Sequence, residues 1–233
     1  MEKSLMFDIT DLIYRVPNFL TDGECQSLID EYEVRSNEYM LEHCPDANTG
    51  EDTYSSFKVV NLNKNTSNFE LVFKKTEQAI NQYFDYLQSF NAFHMPLIRQ
   101  ASMLYSHSYR LMKYDIGCKI HPHTDHDPFV YGSITFNLND EYTGGTFSFF
   151  NGQHEIKLEK GEMMIWPADY FWVHEVKPIE SGTRYSTNGF LQSLPIEVCR
   201  HARREAYDFL EEDYSRVVSL ESTIGPYNIK QID

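Results

Sequence analysis

Residues 121–127 read His121-Pro122-His123-Thr124-Asp125-His126-Asp127, three histidines and two carboxylates in seven positions. That is more donors than one ion can use, so the register of the chain decides which of them matter. In an extended strand, residues two apart share a face. His121, His123, Asp125 and Asp127 therefore form one candidate row, while Thr124 and His126 point the other way. A mononuclear non-haem iron that must also bind a co-substrate and oxygen uses two histidines and one carboxylate on one side of the ion. The heptad contains a single His-x-Asp pair, His123-Thr124-Asp125. The third ligand must come from a distant strand, and His174, isolated in the run Trp172-Val173-His174-Glu175-Val176, is the natural candidate. Ten residues later Arg184 offers the planar fork that suits the far carboxylate of a dicarboxylate.

The surrounding chain supplies β-structure for such a row. Beyond Pro96, short alternating or β-branched runs at 104–114, 119–124, 131–138, 145–150, 153–158, 162–166, 171–176 and 183–192 are separated by turn residues. About eight strands at this spacing, with turn signals at Asn139-Asp140, Gly144-Gly145 and Asn151-Gly152, predict a sandwich or jelly roll. Gly144-Gly145 reads as a tight turn between strands. Aromatics at 15% (16 Tyr, 16 Phe, 2 Trp) favour a β-rich interior. Upstream, 9–16 reads as a short strand ended by Pro17, and Thr21-Asp22-Gly23-Glu24 has the capping-box pattern, predicting a helix over 22–34 with Cys25, Leu28, Ile29 and Tyr32 inward. Residues 35–56 carry no period and read as a loop. A second box, Ser67 to Glu70, opens a strongly periodic helix through Phe69, Val72, Phe73, Thr76, Ile80, Tyr83, Phe84 and Leu87. From Glu197 to about Val218 the composition turns helical again.

The 233 residues fit one domain: 1–195, with N-terminal strand and helices over 1–95 and a jelly-roll core over 96–195, followed by a helical extension over 196–233. With 20 Lys and Arg against 35 Asp and Glu, the net charge of −15 disfavours nucleic acid and anionic membranes as partners. No apolar run reaches the roughly 18 residues of a membrane span, and the start MEKSLMFDIT lacks a secretory core. A cytoplasmic protein is expected. Cys25, Cys44, Cys118 and Cys199 have no C-x-x-C spacing and read as free thiols.

Taken together, Tyr114-x-x-Gly117-x-x-Ile120-x-x-His123-x-Asp125, then Tyr142-x-Gly144-Gly145, then His174-x-Val176-x-Pro178 and Gly182-x-Arg184-x-Ser186 resemble the iron(II)- and 2-oxoglutarate-dependent dioxygenases of the prolyl 4-hydroxylase-like branch. The opening RVPNFLTDGECQSLID is similar to the first strand and helix of that branch. The resemblance implies a double-stranded β-helix in which His123, Asp125 and His174 bind Fe(II). It implies 2-oxoglutarate as co-substrate, O2, and ascorbate as a further cofactor to consider. Arg184 matches the position that pairs with the 5-carboxylate, with Tyr114 and Ser186 placed to add hydroxyl contacts. Where some members carry a tyrosine in the strand after the His-x-Asp loop to help hold 2-oxoglutarate, this chain has Asn137, which stands as the candidate cofactor contact at that position. The basic residue that some peptide hydroxylases use to grip substrate is not found in DPFVYGS.

The activity implied is hydroxylation of a protein or peptide side chain, proline first, with 2-oxoglutarate converted to succinate. A free amino acid or small molecule is the alternative substrate, and a homodimer is compatible with the family. Phe136, Phe147, Phe149, Trp166 and Trp172 are candidate walls for the site, or simply core. A cupin-type site would instead use His121, His123, Asp127 and His174, but it leaves Arg184 unexplained. Nucleic-acid demethylases of the superfamily end in an arginine-rich motif that Arg184-Tyr-Ser-Thr-Asn-Gly-Phe does not match. His43, His94, His107, His126, His154 and His201 read as surface or hydrogen-bonded side chains.

Overall fold

The computed structural model describes residues 8–42, 49, 53–89, 103–125, 129–195, 198 and 222–223. A 3-10 turn, Ile9–Leu12, comes first. The Asp8 carboxylate accepts the Thr10 N–H at 2.8 Å and Asp11 accepts the Asp8 N–H at 2.9 Å. These local bonds win over extended pairing, so only Tyr14–Val16 (β1) of the strand expected over 9–16 is a strand. Helix α1, Asp22–Val34, carries the expected capping box: Thr21 Oγ1 accepts the Glu24 N–H and Glu24 returns the contact to the Thr21 N–H. It buries Cys25, Leu28 and Tyr32, with Ile29 half-buried. Strand β2 spans Lys58–Asn61 and helix α2 Ser67–Ser89. The cap of α2 is Thr66, whose Oγ1 accepts the Phe69 N–H at 3.2 Å, one residue before the box expected at Ser67.

Eleven further strands follow: β3 (Tyr105–Tyr114), β4 (Ile120–His123), β5 (Val130–Asn137), β6 (Tyr142–Gly144), β7 (Phe147–Phe149), β8 (His154–Ile156), β9 (Met163–Pro167), β10 (His174–Val176), β11 (Ile179–Gly182), β12 (Arg184–Gln192) and β13 (Ser222–Thr223). Every pairing is antiparallel. The larger sheet runs β1-β9-β5-β12-β3-β13 with β2 also on β3, the smaller β4-β10-β7-β8, and β6 with β11 makes a separate ribbon. This is the expected jelly roll, a double-stranded β-helix with two helices before it.

Alternation along the large sheet gives it two buried faces. Ile134 and Phe136 of β5, Leu111 of β3, and Met163 and Ile165 of β9 pack on Leu28, Ile80 and Tyr83 of the helices. The alternate residues of β9, Met164 and Trp166, face the small sheet and meet Phe147, Phe149, Trp172 and Val176. Phe136 is thus a helix-side core residue, stacked on Phe19 at 6.0 Å, and not a wall of the site. Each such side chain contributes about 1.5–3 kcal/mol of burial, so the sheet is fixed from both sides.

Gly144 and Gly145 are not a tight turn. Gly144 pairs with Ile179 across the ribbon at φ 75°, and a Cβ there would lie 2.1 Å from the Pro178 carbonyl oxygen. In the segment expected as a loop, Ser36–Glu38 forms a 3-10 turn, Met40 bridges Val59, and Glu42 exchanges backbone and hydroxyl hydrogen bonds with Ser55. The helix expected over 197–218 lies outside the described residues apart from Val198. Ser222–Thr223 of that extension pairs with His107 and Ser106 of β3 as a strand. Among the described residues, no helix is long and apolar enough to cross a membrane.

Candidate metal centre

Register brings the distant histidine home. His174 on β10 is the direct cross-strand partner of His123 at the end of β4, and their rings lie 4.3 Å apart. Asp125 stands just beyond β4, with Oδ1 3.4 Å from His123 Nε2 and Oδ2 3.5 Å from His174 Nε2. The three ligand atoms all lie within 4.8 Å of one another. His121 is not in this group, and His126 and Asp127 lie outside the described residues.

Both imidazoles are held by the same device. His123 Nδ1 donates to the His121 carbonyl at 2.8 Å, and His174 Nδ1 donates to the Trp172 carbonyl at 2.9 Å. A carbonyl can only accept, so the proton sits on Nδ1 and each Nε2 lone pair points into the cluster. Ser133, which the sequence reading passed over, donates its hydroxyl to Asp125 Oδ2 at 2.6 Å. The alternation Ser133, Thr135, Asn137 places a polar row on the inner face of β5, but the partner of each is selected only by pairing with β12 and β9. Phe149 and Trp166 pack on the His174 ring at 5.4 and 5.2 Å.

The electrostatics follow from burial. Burial opposes the Asp125 charge, but His174, His123 and the Ser133 hydroxyl outweigh it and hold the carboxyl well below its usual range. Burial also works against a charged His123, yet its hydrogen bond and attraction to Asp125 keep it above the ordinary imidazole value. His174 is pushed down to about 4 by burial, with the neighbouring His123 adding to the fall and Asp125 opposing it. Two Nε2 atoms and one ionised carboxylate in a buried corner fit a divalent iron, leaving positions for further ligands.

At the other end of the inner face lies Arg184, the first residue of β12, 1% exposed. Its Nε donates to Asn137 Oδ1 at 3.0 Å, while Nη1 and Nη2 have no hydrogen-bond partner among the described residues. The guanidinium carbon sits 4.9 Å from the Tyr114 ring and 5.2 Å from the Phe147 ring. A buried cation with two unpaired nitrogens is costly by several kcal/mol unless an anion joins it, and the carboxylate of 2-oxoglutarate fits those two nitrogens in charge and fork geometry.

Tyr114, fully buried, is pushed up to about 12 by burial, so it stays a hydroxyl donor. The Ser186 hydroxyl is buried without a conventional partner, yet close enough to Tyr114 to favour its ionised form slightly. Asn137 is committed to protein on both sides: Oδ1 accepts from Arg184 and from the Tyr142 hydroxyl, and Nδ2 donates to the Asn139, Leu158 and Glu159 carbonyls. Its geometry is that of a clamp aiming Arg184, where direct cofactor contact had been expected.

The sequence pattern defining the 2OG-Fe(II) oxygenase superfamily matches residues 109–192, the stretch that holds all three ligands and Arg184. Residues 109–192 belong to that superfamily. Over 84 residues the chain is 36% identical to a PKHD-type hydroxylase of Cupriavidus pinatubonensis, covering 34% of this chain and 36% of that one. The chain thus spans about a third of the length of that relative. In fold it is similar to a viral collagen prolyl hydroxylase from Paramecium Bursaria Chlorella virus-1, solved as a 2OG complex, at TM-score 0.58 and 16% identity over 78% of this chain and 97% of that one. A prolyl hydroxylase of Trichoplax adhaerens, solved with a peptide of the hypoxia inducible factor oxygen degradation domain, matches at TM-score 0.54 and 14% identity over 79% and 84%. Fe(II) and 2-oxoglutarate are the cofactors that this family and the His-Asp-His triad imply.

Proposed function

We propose that the chain is an Fe(II)- and 2-oxoglutarate-dependent dioxygenase that hydroxylates a protein or peptide side chain, proline foremost, with residues 1–195 as its catalytic domain. The observation that carries the reading is the unpaired Arg184 fork at one end of a buried polar row whose other end is the triad. His123 and His174 would hold the metal through Nε2 and Asp125 through its carboxylate. Fe(II) with 2-oxoglutarate, when bound, supplies activation of O2 coupled to decarboxylation, giving succinate, carbon dioxide and a hydroxylated product. The protein's share is positional. The Trp172 and His121 carbonyls fix the imidazole tautomers, Ser133 fixes the carboxylate, and Asn137 aims the Arg184 fork at a distal carboxylate. Tyr114 and Ser186 add hydroxyls beside it, and Phe147, Phe149, Trp166 and Trp172 keep water out.

Proline is favoured by the likeness in fold to two prolyl hydroxylases. The same chemistry on a free amino acid is favoured by a different observation, a second arginine on the inner face, Arg110. A cupin-type use of His121 finds no support in the cluster of His123, Asp125 and His174. The test is an anaerobic visible spectrum on adding Fe(II) and then 2-oxoglutarate. A charge-transfer band should develop, and with oxygen succinate should form only when both are present. A folded sample that gives neither band nor succinate would remove the proposal.

A further inference from the structure

Arg110 takes no part in holding the triad or the Arg184 pocket. It lies on β3, 8% exposed, four residues before Tyr114 and on the same inner face. Its Nε donates to Asn188 Oδ1 at 3.1 Å, and its guanidinium carbon sits 5.1 Å from the Phe190 ring centre. Phe190 is the cross-strand partner of Ser133, whose hydroxyl binds Asp125. Two side chains therefore link Arg110 to the triad. Arg110 shares the inner face with Met112 and Tyr114 by strand alternation, and the register shift of β12 against β3 between Asn188 and Phe190, where Ser108 takes φ 58°, lies just before it.

An arginine this deep is seldom left without an anion. Here the anion is Glu42, ion-paired to Nη1. Glu42 belongs to no strand of the sheet; its segment is tied down by the Met40–Val59 bridge and by Ser55. Across the sheet, the register partner of Arg110 is Asn61, whose Oδ1 is buried with no hydrogen-bond partner among the described residues. Between Arg110 and Arg184 runs the paired row Met112, Ser186, Asn137. Arg110 and Tyr114, the neighbour of Arg184, are four residues apart, roughly 13 Å of strand. Along β12 the register pairs run Phe190–Ser133 beside the triad, then Asn188–Arg110, then Arg184–Tyr114, so Arg110 lies on β3 at the flank of the inner face between its two ends, where a second ligand would lie beside one that joins the metal to Arg184.

We propose that Arg110 recognises a carboxylate of the substrate, that Glu42 is an internal stand-in displaced by it, and that Asn61 Oδ1 accepts an N–H beside that carboxylate. The assignment rests on reading the triad and Arg184 as the metal and 2-oxoglutarate sites. The carboxylate could be that of a free amino acid or of an acidic residue in a peptide. Both present the same chemistry to the guanidinium.

The test uses the full chain with Mn(II) and 2-oxoglutarate under nitrogen, and calorimetry with two matched pairs of probes. One pair is L-proline and L-prolinamide; the other is a terminally blocked Gly-Pro-Glu peptide and its Gly-Pro-Gln counterpart. In E42Q, where the internal competitor is gone, one carboxylate should bind about tenfold more tightly than its amide, as loss of one charged hydrogen-bond pair implies. The wild-type chain should bind that carboxylate about tenfold more weakly than E42Q. R110M should abolish the preference for carboxylate while binding 2-oxoglutarate as the wild type does, and R110K should keep part of it. A preference in the proline pair identifies a free amino acid, and one in the peptide pair identifies an acidic peptide. The assignment is overturned if E42Q prefers neither carboxylate or if R110M keeps the preference. A wild-type chain that fails to bind 2-oxoglutarate overturns the underlying reading of Arg184, and this assignment with it.

Discussion

Asp125 and His121 stand four positions apart in a run of ligand-type side chains, and geometry separates them. Asp125 lies within reach of both Nε2 atoms, while His121 contributes its backbone carbonyl to hold His123. Asp125→Ala should therefore abolish Mn(II) binding measured by EPR, and His121→Ala should leave it within about twofold, because a carbonyl survives the substitution. Ser133→Ala, which frees one carboxylate oxygen, should weaken Mn(II) about tenfold. At the far end of the row, Arg184→Met should weaken 2-oxoglutarate about a hundredfold, the effect of losing a charged fork. Asn137→Ala should weaken it less, about tenfold, since it acts by aiming Arg184; equal losses in the two variants would count against that clamp. The triad and Arg184 were legible because residue type and spacing restrict them. Ser133 and the true task of Asn137 were not, because a serine or asparagine in a strand has many possible partners and only pairing with β12 and β9 selects among them.

At the scale of elements, hydrophobic period and caps gave α1 to the residue, and placed α2 to within its cap. Thr66→Ala should cost about 1 kcal/mol in urea unfolding and Ser67→Ala close to nothing, because the α2 amide bonds to Thr66. The short strands β2, β6 and β11 escaped the sequence reading. Ile179–Gly182 is one apolar residue followed by polar ones and glycine, and it becomes a strand only by pairing with β6. The ribbon requires a residue without a side chain where it passes Pro178. Gly144→Ala should destabilise the chain by about 2–4 kcal/mol, a combination of positive φ and a backbone clash. A loss below 1 kcal/mol would mean that the crossing can relax.

For the whole molecule, the triad makes stability of the metal-free chain depend on pH in two opposite directions. His174 falls from an ordinary 6.5 to about 4, so the unfolded chain takes up the proton first and stability is lost as pH falls through this window. The slope is at most about 1.4 kcal/mol per pH unit for one proton. His123 is raised, so its contribution is complete below 6.5 and is lost as pH rises through its folded value. Stability against urea should therefore peak near pH 6.5, and His174→Gln should flatten the acid side of the peak. An acid limb unchanged in that variant would place its origin in other groups.

The amino-acid sequence alone determined a sandwich or jelly roll, which the family resemblance narrowed to the double-stranded β-helix, together with the two helices ahead of it, the His-x-Asp pair with its distant histidine, and the arginine ten residues on. Those features rest on period, spacing and residue type, which are local properties of the chain. Only the tertiary structure decided that Phe136 serves the helices, that Asn137 serves Arg184, that Ser133 steadies Asp125, and that Glu42 closes on Arg110 from outside the sheet. Each depends on which strand lies beside which and in what register. A shift of one residue in β5 would turn Ser133, Phe136 and Asn137 to the opposite face, and what fixes the register is the burial of both faces of the large sheet at once.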